Sequence, residues 1–370
     1  MRVVLTGGGT GGHIYPAVAI GKQLQREDSE TELLYIGTEA GLESRIVPKL
    51  GIPFESVQIT GFRRKLSIEN VKTVLRFVRA AGRAKTLLRA FKPDVVVGTG
   101  GYVCGPVVYA AAKLGIPTLI HEQNVDPGLT NRFLSRYAGA IAVSFRESQQ
   151  RFGNHNRVLY TGNPCATNVV HAERSKGFAS LGIPSGSRVV LVVGGSRGAR
   201  AFNEAMPDVI ARWREMPDTH LVFVTGETYY EQTVEKLAAS PGYGAANVHI
   251  VPYLNNMPEV LAASMLVVSR SGASSLAEIT ALGIPSILVP SPNVTNNHQE
   301  PNARSLADAG AAVMMLEREL TGAALFERIA AIMNDDAKRK AMSDAARKLG
   351  MPESAIHIAA ELRELAARRK

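Results

Sequence analysis

The sequence predicts an α/β protein of two domains, each built on a parallel sheet with helices on both faces. Short runs of β-branched residues alternate with helical patterns along most of the 370 residues, which is the spacing of βα units. The alternation also restarts halfway. Residues 188–206 repeat the layout of residues 2–20, with a basic residue, an apolar strand, a glycine-rich turn and a helix. We therefore predict two Rossmann-like domains, each opening with its own glycine loop.

The pattern predicts twelve strands, six in each half. They lie at 2–6, 33–37, 94–98, 117–121, 139–143, 157–160, 188–193, 220–224, 248–251, 265–268, 285–289 and 311–315. The stretch between the two series is rich in glycine, proline and polar residues, as at a domain junction. We place the boundary so that the domains span 1–162 and 163–351, and we expect a C-terminal helix at 352–370 to complete the first domain.

Composition narrows the classes of protein. Cys104 and Cys165 are too few and too far apart in sequence to indicate a disulfide framework or a metal site, so a reducing cytoplasm is expected. The N-terminus enters a strand without a signal-peptide layout. The longest apolar stretch, at 102–112, is too short and too interrupted to span a bilayer. Any membrane contact is therefore expected to be peripheral.

Positive charge is concentrated in one segment. Residues 63–92 contain ten Lys or Arg and a single acid, Glu69, so this segment alone carries the +9 of the whole chain. Apolar residues recur in it at helical spacing: Val71, Val74, Leu75 and Val78. A solvated helix face and a surface for anionic lipids both fit this pattern. Nucleic acid is not expected as a partner, because only Phe77 and Phe91 offer stacking and no nucleic-acid module accompanies them.

The first glycine loop follows the first strand directly. Residues 7–12 contain five glycines and Thr10. Pro16 is the expected first residue of the next helix, with 13–15 extended. A glycine turn that leads into a helix presents unpaired N–H groups suited to phosphate. Gly7, Gly9 and Gly12 also match a dinucleotide fingerprint, with Glu39 as its ribose acid, so a dinucleotide-dependent oxidoreductase is the alternative function.

Three further turns have the same character. Gly98, Gly100 and Gly101 follow a strand in the first half, and the second half contains the turns at 194–199 and 271–275. N–H groups of residues 273–275 can cap a diphosphate, and Glu278 can accept bonds from two ribose hydroxyls, although an acid near a helix start is also common without a ligand. Four such turns indicate one diphosphate ligand per domain, in a cleft at the carboxyl ends of the strands.

Seven motifs carry a family resemblance. They are "GGGTGGHIYP", "TGGY", "HEQN", "TGNP", "GGSRGA", "RSGASSLAEI" and "NHQEPNA", in this order across nearly the whole chain. With them the chain resembles the MurG family, peripheral membrane glycosyltransferases of peptidoglycan synthesis. The resemblance implies a GT-B fold, two Rossmann-like domains facing across a cleft. It also implies transfer of N-acetylglucosamine from UDP-N-acetylglucosamine to undecaprenyl-diphosphate-linked N-acetylmuramoyl-pentapeptide (lipid I), which gives lipid II.

The resemblance also implies a set of site residues. Donor contacts fall on Ser196, Leu254, Arg270, Ala273, Ser274, Ser275, Glu278, His298 and Gln299. Donor-sugar contacts on the amino-terminal side fall on Thr10, Gly11, Gly12 and Asn124. The acceptor diphosphate falls on Gly8, Gly9, Gly100, Gly101 and Tyr102. The chain departs from some relatives in having Cys165 and Ala166 where they have an arginine, and His298 with Gln299 where they have two glutamines.

The expected mechanism follows from charge. The sequence has no Asp-x-Asp motif for a metal-bound diphosphate, and Asp335 and Asp336 fit a surface helix. We therefore expect no metal and no cofactor, with helix N-termini and Arg270 stabilising the UDP leaving group. His13 is the expected general base, with Glu122 in reserve. An orienting hydrogen bond from His13 to phosphate is the other interpretation. His121 is expected to end a buried strand, and a single displacement inverts the anomeric centre.

The lipid-linked acceptor implies contact with the cytoplasmic face of the cell membrane. The candidate apolar contacts are Phe62, Leu66, Val74, Leu75 and Phe77. The candidate basic contacts with anionic headgroups are Arg63, Arg64, Lys65, Lys72, Arg76 and Arg79. Some of the apolar residues must face the core instead, and the sequence leaves open which ones do.

Overall fold

The computed structural model describes residues 1–61 and 68–368, with side chains described throughout except at 68–72. The chain divides into two compact units. The first consists of Met1–Thr167 and Met351–Lys370, and the second of Asn168–Gly350. The chain thus leaves the first unit five residues beyond the boundary placed at 162/163.

The first unit contains a seven-stranded parallel sheet. Its strands are β1 (Arg2–Thr6), β2 (Glu32–Gly37), β3 (Phe54–Ser56), β4 (Val95–Gly98), β5 (Thr118–Glu122), β6 (Ala140–Val143) and β7 (Val158–Tyr160). Their order is β3-β2-β1-β4-β5-β6-β7. The central strands are buried on both faces, which explains why they read as continuous apolar runs.

Seven helices connect these strands or follow them. They are α1 (Gly11–Glu27), α2 (Glu43–Lys49), α3 (Ile68–Phe91), α4 (Cys104–Lys113), α5 (Leu129–Leu134), α6 (Arg146–Gln149) and α7 (Ala166–Val169), the last of which crosses the division between the units. Helices α3 and α4 pack on one face of the sheet through small residues such as Ala80, Ala84 and Ala110. Helix α1 packs on the other face through Ile14, Ala17 and neighbouring residues.

The second unit repeats this plan with six parallel strands. They are β8 (Arg188–Val193), β9 (Thr219–Val224), β10 (Val248–Val251), β11 (Leu266–Ser269), β12 (Ser286–Leu288) and β13 (Ala312–Met314), in the order β10-β9-β8-β11-β12-β13. Its helices are α8 (Arg174–Ser180), α9 (Arg200–Arg212), α10 (Tyr230–Leu237), α11 (Met257–Ala263), α12 (Ala273–Leu282), α13 (Gln299–Asp308), α14 (Gly322–Met333) and α15 (Asp336–Leu349). Apolar clusters lie on both faces of this sheet.

The last helix returns to the first unit. Helix α16 (Ser354–Ala367) packs on α1 and contributes Ile358, Ala359, Leu362 and Leu365 to the cluster on that face of the sheet. None of the described helices is both long and apolar enough to cross a membrane.

The structure corrects the predicted elements in two places. Strand β3 was not predicted, because its three residues contain a single apolar side chain, Phe54. Helix α1 begins at Gly11 and not at Pro16, so 13–15 are helical. The carbonyl of Thr10 accepts bonds from the N–H groups of His13 (3.1 Å) and Ile14 (3.2 Å), which starts the helix early. Pro16 then removes one bond in the second turn, which the helix tolerates.

Helix α3 is present, but three of the four residues of its predicted apolar stripe face outward, and the side chain of the fourth, Val71, lies outside the described residues. Val74, Leu75 and Val78 are 50%, 57% and 63% exposed. The face that packs on the sheet consists mainly of alanine and leucine after the first turns, and Phe77 packs inward against Tyr109 and Phe133. Small residues allow the helix to approach the sheet closely, so its core face is less conspicuous in the sequence than its outer face.

Candidate active site

The strand order brings the four glycine or serine turns together in two pairs, one pair at the carboxyl edge of each sheet. In the first sheet the order reverses between the neighbouring strands β1 and β4, which lead into the loops 7–10 and 99–103. In the second sheet the corresponding neighbours are β8 and β11, which lead into 194–199 and 270–272. Parallel sheets bind ligands beyond the carboxyl ends of their strands at such reversals. Each unit therefore has one candidate binding edge.

The two glycine turns of the first unit touch backbone to backbone. A methyl group on Gly101, whose φ is +80°, would overlap the carbonyl of Gly8. The N–H of Gly8 donates to the carbonyl of Gly100 at 3.3 Å, and the hydroxyl of Thr99 donates to the carbonyl of His13 at 2.6 Å. The loops after β1 and β4 thus form one assembly around the start of α1.

His13 lies in this assembly with a defined tautomer. Its Nδ1 lies 2.9 Å from the carbonyl oxygen of Gly8. Because a carbonyl oxygen only accepts hydrogen bonds, Nδ1 carries the proton and the lone pair of the neutral ring is on Nε2. The Nε2 edge packs against the α-carbon of Gly100, where a methyl group would come within 3.1 Å of it. The geometry therefore suits His13 to accept a proton at Nε2.

Glu122 is buried and holds a loop. Its Oε1 accepts bonds from Asn124, from the backbone N–H at 3.0 Å and the side-chain amide at 3.3 Å. Its Oε2 accepts from the N–H of Gly128 at 3.0 Å and from Asn131 Nδ2 at 2.8 Å. These four N–H donors occupy the lone pairs of the carboxylate. This arrangement favours His13 over Glu122 as the base, and it fixes Asn124 at the edge of the site.

His121 and Gln123 connect this loop to the glycine turns. His121 lies buried in strand β5, which continues one residue beyond the predicted end to Glu122, and burial lowers the pKa of His121 to about 4. Its Nε2 bonds to the carbonyl of Gly162 at 3.0 Å, and its Nδ1 bonds to Gln123 Nε2 at 3.0 Å. Gln123 Nε2 also donates to the carbonyl of Thr99 at 2.6 Å. Gln123 was missed by sequence reasoning, although it lies within the quoted "HEQN" motif.

The N–H groups of the first loop divide into inward and outward sets. Gly8 donates to Gly100, as above, and Gly9 donates to the carboxylate of Glu43 at 3.2 Å, so neither N–H points to a ligand. Gly11 and Gly12 are the first two residues of α1, where N–H groups have no partner within the helix. The capacity of this loop to bind phosphate therefore lies at 11–12 more than at 8–9. Tyr102 is partly exposed beside Gly9.

In the second unit, the loop after β8 contacts the loop after β9. A methyl group on Gly198, whose φ is +74°, would overlap the carbonyl of Thr225 in the loop after β9. Ser196 lies exposed at the tip of the loop after β8.

In the junction before this unit, Cys165 and Ala166 are both buried, and the N–H of Cys165 donates to Asn163 Oδ1 at 3.1 Å.

The start of α12 is the second candidate anion site. Gly272 caps the helix, and Ala273, Ser274 and Ser275 form its first turn, as predicted. Ser271, just before the cap, donates its hydroxyl to the carbonyl of Gln299 at 2.8 Å. The starts of α12 and α13 are thereby tied together. Within the part of the chain that the structure describes, Ser274 Oγ is buried without a hydrogen-bond partner.

Glu278 lies in the second turn of α12. Burial raises the pKa of its carboxyl group to about 7. No hydrogen bond or ion pair to this carboxyl group occurs among the described residues. A half-buried acid without a partner is costly to ionise, and hydroxyl donors from a ligand would lower that cost.

Arg270 is held within the second unit. Its guanidinium forms an ion pair with Glu317 and donates to the carbonyls of Val289 (3.1 Å) and Pro290 (3.3 Å). The guanidinium also lies over the ring of Phe202, 5.1 Å from its centroid. This arrangement fixes the loop after β12, and the charge of Arg270 is already balanced by Glu317.

His298 ends the loop after β12, and Gln299 begins helix α13. His298 Nδ1 bonds to the carbonyl of Thr295 at 2.7 Å, and Gln299 Oε1 accepts the N–H of Ser291 at 2.9 Å. Asn296 and Asn297 precede them with φ of +59° and +49°, a conformation rarely adopted outside glycine. Such strain is typical of loops that position ligand contacts. Leu254, after β10, is buried in an apolar cluster.

The described residues contain no group of three or more His, Cys, Asp or Glu side chains arranged to hold a metal ion.

Two family models match the chain, one in each half. Residues 3–143 match the glycosyltransferase family 28 N-terminal domain, and residues 189–358 match the glycosyltransferase family 28 C-terminal domain. Together these two ranges contain most of the candidate site residues described above.

Individual relatives are similar over their whole length. A Halalkalibacterium halodurans protein named UDP-N-acetylglucosamine--N-acetylmuramyl-(pentapeptide) pyrophosphoryl-undecaprenol N-acetylglucosamine transferase is 54% identical, covering 99% of this chain and 100% of the relative. Among solved structures, Acinetobacter baumannii MurG superposes with a TM-score of 0.77 at 30% identity, covering 98% and 99%. The calicheamicin glycosyltransferase CalG4 (TM-score 0.70, 17% identity, covering 100% and 99%) shows the fold alone. The predicted GT-B fold is confirmed.

Proposed function

The chain belongs to glycosyltransferase family 28, and we propose that it transfers N-acetylglucosamine from UDP-N-acetylglucosamine to undecaprenyl-diphosphate-linked N-acetylmuramoyl-pentapeptide, forming lipid II. The observation that carries this function is the 54% identity over 99% of the chain to a relative named for this transfer. The chain is a UDP-sugar-dependent glycosyltransferase. The dinucleotide-dependent alternative has no support among the similar proteins.

The donor is held by the second unit. The start of α12 receives the diphosphate, since its first N–H groups and Ser274 lack partners among the described residues. Glu278 accepts the ribose hydroxyls. Ser196, Leu254, His298 and Gln299 complete the donor contacts, with Gln299 oriented by Ser291.

The acceptor is held by the first unit. Its diphosphate lies at the start of α1, beside Gly100, Gly101 and Tyr102, while Thr10 and Asn124 contact the donor sugar. The acceptor oxygen attacks the anomeric carbon, its proton passes to His13 Nε2, and the bond to UDP breaks with its electron pair on the diphosphate. One displacement inverts the anomeric centre.

The charge that develops on UDP falls at the N-terminus of α12. A helix N-terminus carries partial positive charge without reorganisation during the reaction. Arg270 contributes mainly by holding the neighbouring loop, because Glu317 already balances its charge. In this account leaving-group stabilisation uses no metal ion.

UDP binding is expected to depend on pH through Glu278. Because the pKa of its carboxyl group is about 7, the group is mostly protonated at pH 6 and mostly ionised at pH 8. Ribose hydroxyls donate best to the ionised form, so UDP affinity should rise about tenfold between these pH values. Calorimetric titration with UDP, in excess EDTA, measures this change. NAD should not bind.

The matched variant is Glu278→Gln, which should weaken UDP binding at pH 8 and remove its pH dependence.

Glu278→Gln should also stabilise the unliganded protein. The raised pKa means that the folded state retains a proton that the unfolded state loses between about pH 4.5 and 7, so the wild type loses stability as pH rises through this window. At pH 8 the gain in the variant is about 3 kcal/mol. A pH-independent affinity in the wild type would remove Glu278 from the ribose site.

The first unit meets an anionic membrane surface at the cytoplasmic face. The outer face of α3, formed by Val74, Leu75 and Val78, is apolar and exposed, with Arg76 and Arg79 beside it. Leu129 and Phe133 of α5 are also exposed, and Phe133 packs edge-on against Phe77 on the inner side of α3. Exposed apolar residues with cations beside them fit an interface with anionic lipids. Phe62, Arg63, Arg64, Lys65, Leu66 and the Lys72 side chain lie outside the described residues.

Changing Arg76 and Arg79 together to Glu is expected to weaken binding to anionic vesicles at least tenfold, because each cation contributes about 1 kcal/mol near such a surface. Wild-type binding should fall with salt and be weak on neutral vesicles. The control changes two exposed cations of the second unit, Arg214 and Lys236, to Glu, which alters the net charge equally. Vesicle sedimentation measures binding. Equal sedimentation of all three proteins would make the outer face of α3 an ordinary solvated face.

A further inference from the structure

A buried carboxylate lies directly behind the first glycine loop. Glu43, the first residue of α2, has no exposed surface. Its Oε2 accepts the N–H of Gly9 at 3.2 Å. Its Oε1 accepts the N–H of Thr38 at 3.0 Å and the Thr38 hydroxyl at 2.7 Å. The side chain therefore connects the loop after β2 to the loop after β1.

Three glycines from separate segments make room for this one side chain. A methyl group on Gly8 would come within 2.5 Å of Glu43 Oε1, and one on Gly37 would come within 2.6 Å of its Cγ. A methyl group on Gly41 would overlap both carboxylate oxygens. Side-chain contacts, not backbone conformation, require glycine here, because φ is not positive at any of the three. At Gly37 the ring of Phe54 also contributes, since a methyl group would come within 2.7 Å of it.

The hydrogen bond from Gly9 to Glu43 lies at the point where the chain turns from β1 into α1. Gly9 has a φ of +86° and is followed by Thr10, whose carbonyl starts the helix. His13 is held by the carbonyl of Gly8, the residue before Gly9. A clamp on Gly9 therefore sets the direction of the N–H groups of Gly11 and Gly12 and the position of the His13 ring.

We propose that Glu43 is a positioning residue for the acceptor: its carboxylate holds Gly9 so that the start of α1 and His13 face the acceptor diphosphate and hydroxyl. This role rests on the proposed transferase function. Glu43 touches no substrate in this account. Since it is buried behind the loop, its effect on the acceptor passes through the backbone of 8–13.

The variant Glu43→Gln tests the clamp. A glutamine keeps one oxygen for the two bonds from Thr38, but its NH₂ group then faces the N–H of Gly9 and cannot accept from it. We expect the KM for the lipid-linked acceptor to rise at least tenfold, while the Kd for UDP, whose proposed contacts lie in the second unit, stays unchanged. A general loss of folded protein would lower kcat without this selective change in acceptor KM.

Gly41→Ala should also raise the acceptor KM, although residue 43 stays glutamate, because the new methyl group displaces the Glu43 carboxylate. Two controls separate positioning from stability. Thr38→Val removes one bond to Glu43 but leaves Gly9 clamped, and Gly82→Ala adds a methyl group in open space on α3. Both should retain the wild-type acceptor KM.

The outcomes distinguish this inference from the proposed function. Absence of transfer by the wild type contradicts the function itself. An active wild type with an unchanged acceptor KM in Glu43→Gln contradicts the positioning role, as does an equal rise in Thr38→Val. If Glu43→Gln does not fold, two other variants test the positioning role. Gly41→Ala displaces the carboxylate, and Glu43→Asp keeps a carboxyl group but shortens its reach to Gly9. A rise in the acceptor KM without a change in the Kd for UDP supports the role, and an unchanged acceptor KM contradicts it.

Discussion

Replacing His13 by alanine is expected to lower turnover about 100-fold or more, the usual effect of losing a general base. The carbonyl of Gly8 fixes the proton on Nδ1, so the lone pair of the neutral ring is on Nε2, the atom that takes the proton of the acceptor hydroxyl in the proposed reaction. The Kd for UDP should stay nearly unchanged, because the proposed UDP contacts lie in the second unit. Turnover at saturation with both substrates and calorimetry with UDP measure the two quantities.

A second interpretation of His13 makes a different prediction. If the ring only orients a phosphate by hydrogen bonding, the loss should appear in the acceptor KM with little change in turnover. His13→Gln should then recover most of the activity, since its amide can donate the same kind of bond. A general base is not replaced by an amide. Unchanged turnover in His13→Ala would remove His13 from the chemistry.

Gly198→Ala is expected to destabilise the second unit by about 3 kcal/mol or more. The residue has a φ of +74°, which costs about 1 kcal/mol for alanine, and the new methyl group would overlap the carbonyl of Thr225. The loops after β8 and β9 would have to separate. Trp213 is the only tryptophan of the chain and is buried in this unit, so urea unfolding followed by its fluorescence reports on the unit directly.

The matched control is Gly186→Ala. Gly186 has a φ of +87°, but nothing lies within 4 Å of the added methyl group. The variant should lower the free energy of unfolding only by the cost of placing alanine at positive φ, about 1 kcal/mol. Equal destabilisation by the two variants would mean that the contact between the two loops contributes nothing, and that conformation alone sets the cost.

Much of the fold was predictable because its signals are local. Parallel strands buried on both faces appear as continuous apolar runs, and twelve of the thirteen strands in the described part of the chain were found in this way. The glycine turns were found for the same reason, and strand order then brought them together in pairs. The missed strand β3 pairs only with β2 at the sheet edge and carries one apolar side chain, so its signal is not local.

What the sequence did not reveal depends on contacts between distant residues. Glu43 looks like any acid at a helix start until Gly9, 34 residues away, is seen to donate to it. Arg270 fits a leaving-group contact until Glu317, 47 residues away, is seen to balance its charge. Val74, Leu75 and Val78 of α3 face outward because alanines pack more closely on the sheet than valines would.

The most direct test of the proposed function is transfer of radiolabelled N-acetylglucosamine from its UDP donor to purified polyprenyl-diphosphate-linked N-acetylmuramoyl-pentapeptide. We predict a labelled lipid product that requires both substrates, forms in excess EDTA, and is nearly abolished in His13→Ala. A wild-type protein that binds UDP but transfers no label to this acceptor would contradict the account.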